Sequence, residues 1–337
     1  MSGVAEGIGT FHVGSTRIRV VTDCAVDIST VVQAEERVVR RLAEQGVWPH
    51  GTVTLFVLDD LAPLVGQLAR TQRLLADDLM RLPQRPMVNL YDPRHADECF
   101  VFVNRPIMVA EGFWDDGLAA EALLAHEHAH PLSEAPATTA ARVLTVEADG
   151  PAALAPLAAE LGRTLSTGAV TELLANGFCI AHGFADALRH LDRITLARAV
   201  NNLPQRAELE RRADAALAAG TLPKDQLRPL LRLADAQIAL PFALEVAPFV
   251  QAGRSTEAAE LDGLLVDGLM ARMAGEITGI YRDLHACFLH LRPEWSGEAI
   301  AAWCTRILRR LSDFLSAGGT PLSLRLAAVP LNAESPP

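Results

Sequence analysis

Every strongly β-prone run in this chain of 337 residues falls before residue 105, and from about Ala135 alanine and leucine at helical spacing take over. That asymmetry excludes an all-β sandwich and a regular βαβ alternation along the whole chain. "TFHVGSTRIRVVTD" reads as two short strands around the turn Gly14-Ser15-Thr16. "GTVTLFVLDD", "PMVNLYD" and "CFVFVNR" are three further strand candidates. Between them, "ISTVVQAEERVVRRLAEQGV" has the spacing of a helix closed by Gly46, and "LAPLVGQLARTQRLLADDLMRL" that of a helix stopped by Pro83. Beyond Ala135 strand signals vanish, and turns fall at "ADGP", "AAGTLPKDQ", "QAGRS", "RPEWSGE" and "SAGGTP". The expected fold is α+β: a mixed domain over residues 1–185, a mainly helical domain over 186–328, and a proline-rich, disordered tail over 329–337.

Half the residues are hydrophobic, enough for a sizeable core. The net charge of −11 argues against a phosphate-binding surface, so no nucleic-acid partner is expected. Lys224 is the single lysine and sits in the loop-like "GTLPKDQ", which leaves Schiff-base chemistry one poor candidate. The opening "MSGVAEGIGTFHVG" lacks a basic start and an apolar run, so no signal peptide is expected. The longest apolar run, "IALPFALEVAPFV", holds two prolines and Glu245, short of the roughly 20 residues that span a bilayer. Five scattered cysteines without CxxC spacing fit reduced thiols in a cytoplasmic protein.

The most chemically loaded stretch is "EALLAHEHAHPLSE", with His126, His128 and His130 at alternate positions. On a strand all three would share one side. The lead-in "LAAEALLA" contains only good helix formers and no β-branched residue, which favours a helix. On a helix of about 100° per residue, His130 lies about 40° round from His126, and His128 lies about 200° away. His126-Glu127-His128-Ala129-His130 then reads as H-E-x-x-H: two imidazoles one turn apart for a zinc ion, and a carboxylate able to activate water there. Chance places this pattern in roughly 2% of chains of this composition. His128 is expected to face solvent or to support the site from behind. Pro131 predicts that the helix ends or kinks at His130.

A catalytic zinc site needs a third protein ligand. Downstream, "GAVTELLANGFCIAHGF" places Glu172 and Asn176 one turn apart. Glu172 can complete a His₂Glu set, and Asn176 can orient a ligating histidine through its second ring N–H. Glu172 also reads as a first-turn carboxylate complementing a helix dipole. Glu134, Glu147 and Asp149 are competing ligands.

An HExxH helix followed by a glutamate ligand on a later helix resembles the gluzincin zinc metallopeptidases. Glu172-Leu173-Leu174-Ala175-Asn176-Gly177-Phe178 looks like the "ExxANxF" motif of their ImmA/IrrE group. The resemblance covers roughly residues 51–184. It implies a zincin-like core, a small twisted sheet plus an active-site helix, with His126, His130 and Glu172 on zinc and Glu127 as general base. It also implies that "CFVFVNR" is an edge strand pairing with an extended peptide. The stretch from His130 to Glu172 is long for a compact member and is expected to hold an extra helix; no helix-turn-helix DNA-binding segment is evident.

Donors for a developing oxyanion are Tyr281 and His285 first, then His182 and Tyr91. The expected activity is zinc-dependent hydrolysis of a peptide or protein substrate. Two alternatives stand beside it: a regulatory protein with a structural or vestigial zinc site, and a zinc hydrolase of non-peptide amides. The helical half suits closing a cleft, binding a partner or holding a homo-oligomer together.

Overall fold

A computed structural model describes residues 7–65, 82–91, 97–273, 275–317 and 319–328. The fold is α+β, with a small mixed sheet and a majority of helix. The chain divides into two compact units. One comprises residues 1–132 and 178–191, the other residues 133–177 and 192–337.

The first unit is organised by a five-stranded sheet. Its strands are β1 (Gly7–Val13), β2 (Thr16–Thr22), β3 (Thr52–Leu58), β4 (Met87–Tyr91) and β5 (Glu98–Asn104), in the order β1-β2-β3-β5-β4. β1 and β2 form an antiparallel hairpin, and Gly14 at φ 58° takes the left-handed turn position that suits glycine. β2, β3 and β5 run parallel, and β4 pairs antiparallel with β5. One outcome corrects the edge-strand expectation. "CFVFVNR" is β5, an interior strand between β3 and β4, so among the described residues β4 is the edge on that side. The near-continuous apolar composition of "CFVFV" is what a strand buried on both faces requires.

Register places Val20, Leu55, Val101 and Asn89 on one face of the sheet. On the other face, Phe102 stacks on Phe56 with ring centroids 4.9 Å apart, among Leu58, Leu61, Leu64 and Leu90. Helix α1 (Ser29–Glu44) buries the stripe Val31, Ala34, Glu35, Val38, Val39 and Leu42. α2 (Arg105–Ala110) follows β5 directly, and α3 (Gly117–Leu132) carries the histidine motif. The helix expected over residues 61–82 lies mostly outside the described residues, as does the tail 329–337.

The second unit corrects the view that strands end with the first half. β6 (Leu144–Asp149) pairs antiparallel with β7 (Ser323–Ala328). "LTVEAD" does alternate apolar and polar residues, but short alanine- and leucine-rich strands look helical when their partner is far along the chain. Its helices include α4 (Pro136–Arg142) and α5 (Ala155–Leu165), then most of α6 (Thr167–Ala181) and of α7 (Ala185–Asn201). α8 (Leu203–Ala218), α9 (Lys224–Ala239), α10 (Ala243–Gln251), α11 (Ser255–Gly263), α12 (Glu276–Phe288) and α13 (Gly297–Ser316) complete it. α13 buries Trp303, whose indole N–H donates to the Cys287 carbonyl at 3.0 Å. The helical stretch Lys224–Gln251 is long and apolar enough, by length and composition, to cross a membrane. Two-thirds of its most apolar window is buried, and Leu233, Ala236, Leu240 and Leu244 belong to the core.

The sheet packing predicts a stability test. Phe102→Ala removes a ring that is 1% exposed and should cost about 3–5 kcal/mol in urea unfolding of the whole chain. Leu118→Ala, at an exposed position, should change stability by less than about 0.5 kcal/mol. A Phe102→Ala loss below about 1 kcal/mol would contradict the packing described.

Candidate metal centre

α3 starts where Asp116 accepts the amides of Leu118 and Ala119, each at 3.0 Å, which satisfies two orphan N–H groups. Burial alone would raise the Asp116 carboxyl. Hydrogen bonds from His190, at 2.6 Å, and from those amides hold it below the usual carboxylate range. The helix runs to Leu132, one residue beyond Pro131. The helix thus ends two residues past His130, and proline sits in the last turn, where only one intrahelical bond is lost.

As the helical reading requires, the three histidines part company. His126 and His130 are half-buried neighbours, with ring centroids 4.6 Å apart and planes at 83°. His128 lies on the opposite face and is fully buried. The solvent-facing expectation for it fails because α1 covers that face. His128 Nε2 lies 3.0 and 3.1 Å from the two carboxylate oxygens of Glu35, which is also fully buried. The Trp48 ring meets His128 edge-on at 4.8 Å. Farther up the helix, Glu121 accepts from Arg37 at 2.7 Å and pairs with Arg41 at 3.5 Å, tying α3 to α1 a second time.

Glu127 is almost buried, at 8% exposure, and its Oε2 accepts the backbone N–H of Asn89 at 2.9 Å. Oε1 makes no hydrogen bond among the described residues. The carboxylate is thus held by one oxygen and presents the other.

His126, His130 and Glu172 form a group able to hold a metal ion: one donor atom from each lies within 4.8 Å of the others. All three are half-buried. A tetrahedral zinc ion with ligands at about 2.0–2.1 Å sets donors about 3.4 Å apart. Two imidazoles and a carboxylate suit zinc and also other first-row transition ions. Glu172 sits in the second turn of α6, which opens at Thr167 and has no acidic residue in its first turn. The dipole reading of Glu172 therefore does not hold. Asn176, one turn on, donates to Glu245 Oε2 at 2.9 Å and to the Leu244 carbonyl at 3.4 Å.

The competing carboxylates have other work. Glu134 accepts from Thr138, Thr139 and Arg142 around the start of α4. Glu147 and Asp149 pair with Arg325 across β6 and β7. Between His130 and Glu172 lie two helices and a strand rather than one extra helix.

Among the oxyanion donors, the Tyr281 hydroxyl donates to Asp262 at 2.5 Å in a fully buried position, and burial drives its pKa upward. His285 lies against that ring at 5.8 Å; its Nε2 is buried without a partner among the described residues, and burial lowers its pKa. His182 bonds Gln45 and packs on Phe178 at 4.1 Å, and Tyr91 packs on His50 at 5.9 Å.

A second group, Asp23, Cys24 and Asp59, also gathers potential ligands, but each is accounted for by the loop it ties. Asp23 accepts the amides of Asp59 and Asp60, the Cys24 thiol donates to the Val57 carbonyl, and Asp59 pairs with Arg105. Burial pushes the Cys24 thiol up to about 11 and that of Cys304 to about 12, and it raises Cys99, Cys179 and Cys287. None of the five offers a thiolate nucleophile at neutral pH.

The sequence reading missed Glu35, Asn89 and Glu245. Two carried a signal: Glu35 is the one carboxylate inside the apolar stripe of α1, and Asn89 is a polar, strand-averse residue on the helix-covered face of the sheet.

No family model, curated protein or solved structure matches this chain.

The arrangement predicts which carboxylate binds metal. Glu172→Gln should weaken zinc binding at least about 100-fold in chelator competition. Glu134→Gln and Glu147→Gln should leave it within about threefold. Equal losses in all three would contradict the assignment.

Proposed function

We propose that the protein is a zinc-dependent metallopeptidase of gluzincin type, similar to the ImmA/IrrE group, acting on a peptide or protein substrate. The observation that carries this reading is the gathering of His126, His130 and Glu172 donor atoms within 4.8 Å, with Glu127 beside the first histidine. Those three residues would hold the ion. Bound there, zinc would supply Lewis acidity, polarising the scissile carbonyl and easing deprotonation of water near neutral pH.

The remaining work falls to the chain. Glu127, anchored through Oε2 by the Asn89 amide, has Oε1 free to take a proton from the attacking water and deliver it to the departing amine. Near-burial of Glu127 strengthens its electrostatic influence on the reacting atoms. Net hydrolysis consumes one water: its oxygen joins the carbonyl carbon, the C–N bond breaks, and the proton leaves on nitrogen.

Glu127→Gln keeps size and shape but removes the base. It should retain stoichiometric metal and lower kcat on casein by about 10²–10⁴-fold. A variant with full metal and wild-type kcat would overturn the assignment of Glu127 as the base.

A further inference from the structure

Pro131 has no N–H, so the helical bond that would run from residue 131 to the carbonyl of Glu127 cannot form. That carbonyl is not left bare. The side-chain amide of Asn89, from β4, donates to it at 3.2 Å. The same residue's backbone N–H donates to the Glu127 carboxylate at 2.9 Å. Asn89 therefore grips the proposed base at both ends, main chain and side chain.

Register explains how one residue can do this. The Asn104 amide donates to the Pro86 carbonyl, which makes Met87 and Val103 a non-hydrogen-bonded pair. Asn89 and Val101, two residues on, repeat that pattern, so the Asn89 N–H points away from β5. Its side chain lies on the sheet face that α3 covers.

A third contact fixes a proton. Asn89 Nδ2 also lies 3.3 Å from His128 Nδ1. Because Nδ2 must be the amide nitrogen to donate to the Glu127 carbonyl, it is a donor toward His128 as well, so Nδ1 accepts. The ring proton then sits on Nε2, aimed at Glu35 at 3.0 Å. The Trp48 ring also meets His128 edge-on, and its indole N–H donates to the Thr16 hydroxyl.

We infer that Asn89 is a positioning residue for catalysis: it uses the carbonyl that Pro131 frees to lock Glu127, and it donates to His128 Nδ1, the nitrogen left unprotonated when Nε2–H is given to Glu35. This rests on the hydrolase reading for its kinetic consequence but not for its geometry. It also gives the HExxH-P sequence a consequence: with proline at 131, Asn89 has no helical N–H to share that carbonyl with.

The test uses the zinc-loaded full chain and two variants. Asn89→Ala removes the side chain and leaves the backbone donor; Asn89→Asp is isosteric and turns the donor into an acceptor. Nitrogen NMR of the histidine rings should show wild-type His128 protonated at Nε2 alone; Asn89→Asp, which puts an acceptor beside Nδ1, should lose that signature, while Asn89→Ala, which leaves the Glu35 acceptor in place, should keep Nε2 protonated. Metal content should stay at the wild-type level, while kcat on casein falls about 10²-fold and KM stays within about threefold. A wild-type ring protonated on Nδ1 alone, a signature unchanged in Asn89→Asp, or wild-type kcat in a metal-loaded variant would each overturn the inference. Should zinc-loaded wild type fail to cleave casein, the hydrolase reading fails by itself. The ring signature then decides whether Asn89 holds Glu127 and His128 as described.

Discussion

The contact between His128 and Glu35 sets the rotation of α3 about its own axis. Both groups are fully buried, and neither tolerates that without a partner. Removing one member of such a pair commonly costs about 3–5 kcal/mol, because the other is left uncompensated. With His128 fixed toward α1, helix geometry turns His126 and His130 to the opposite side and leaves Glu127 between the two directions. The residue that binds no metal thus orients the two that would.

The edge of the sheet supplies the second constraint. β4 is short, antiparallel and outermost on its side, and Asn89 meets α3 from there. A proline in the last turn of a helix ordinarily leaves a carbonyl in search of a donor. Here the strand provides one, and the same strand residue holds the carboxylate. Helix and edge are joined at the one residue where the chemistry is expected.

Much of this was legible in the residues, for definite reasons. The helical state of "EALLAHEHAH" followed from the absence of β-branched residues, and the separation of the histidines followed from helical pitch. The five strands of the first unit announced themselves through β-branched and aromatic runs. What stayed hidden depended on pairing between distant segments. β6 and β7 are separated by more than 170 residues, and β5 could not be placed inside the sheet until β4 was known to close it. Pro131 looked like a helix breaker because its cost was visible and the side chain that offsets it, Asn89, was not. Glu35 and Asn89 were misplaced polar residues in apolar patterns, a signal that marks a buried partner without naming it.

The central claim is that one metal ion belongs between His126, His130 and Glu172. A crystal grown with zinc and recorded on both sides of the zinc absorption edge tests it directly. The account predicts a single anomalous peak within about 2.0–2.2 Å of one nitrogen from each histidine and a Glu172 oxygen. A fully zinc-treated crystal with no peak beside His126 and His130, or with zinc held only elsewhere, would contradict it.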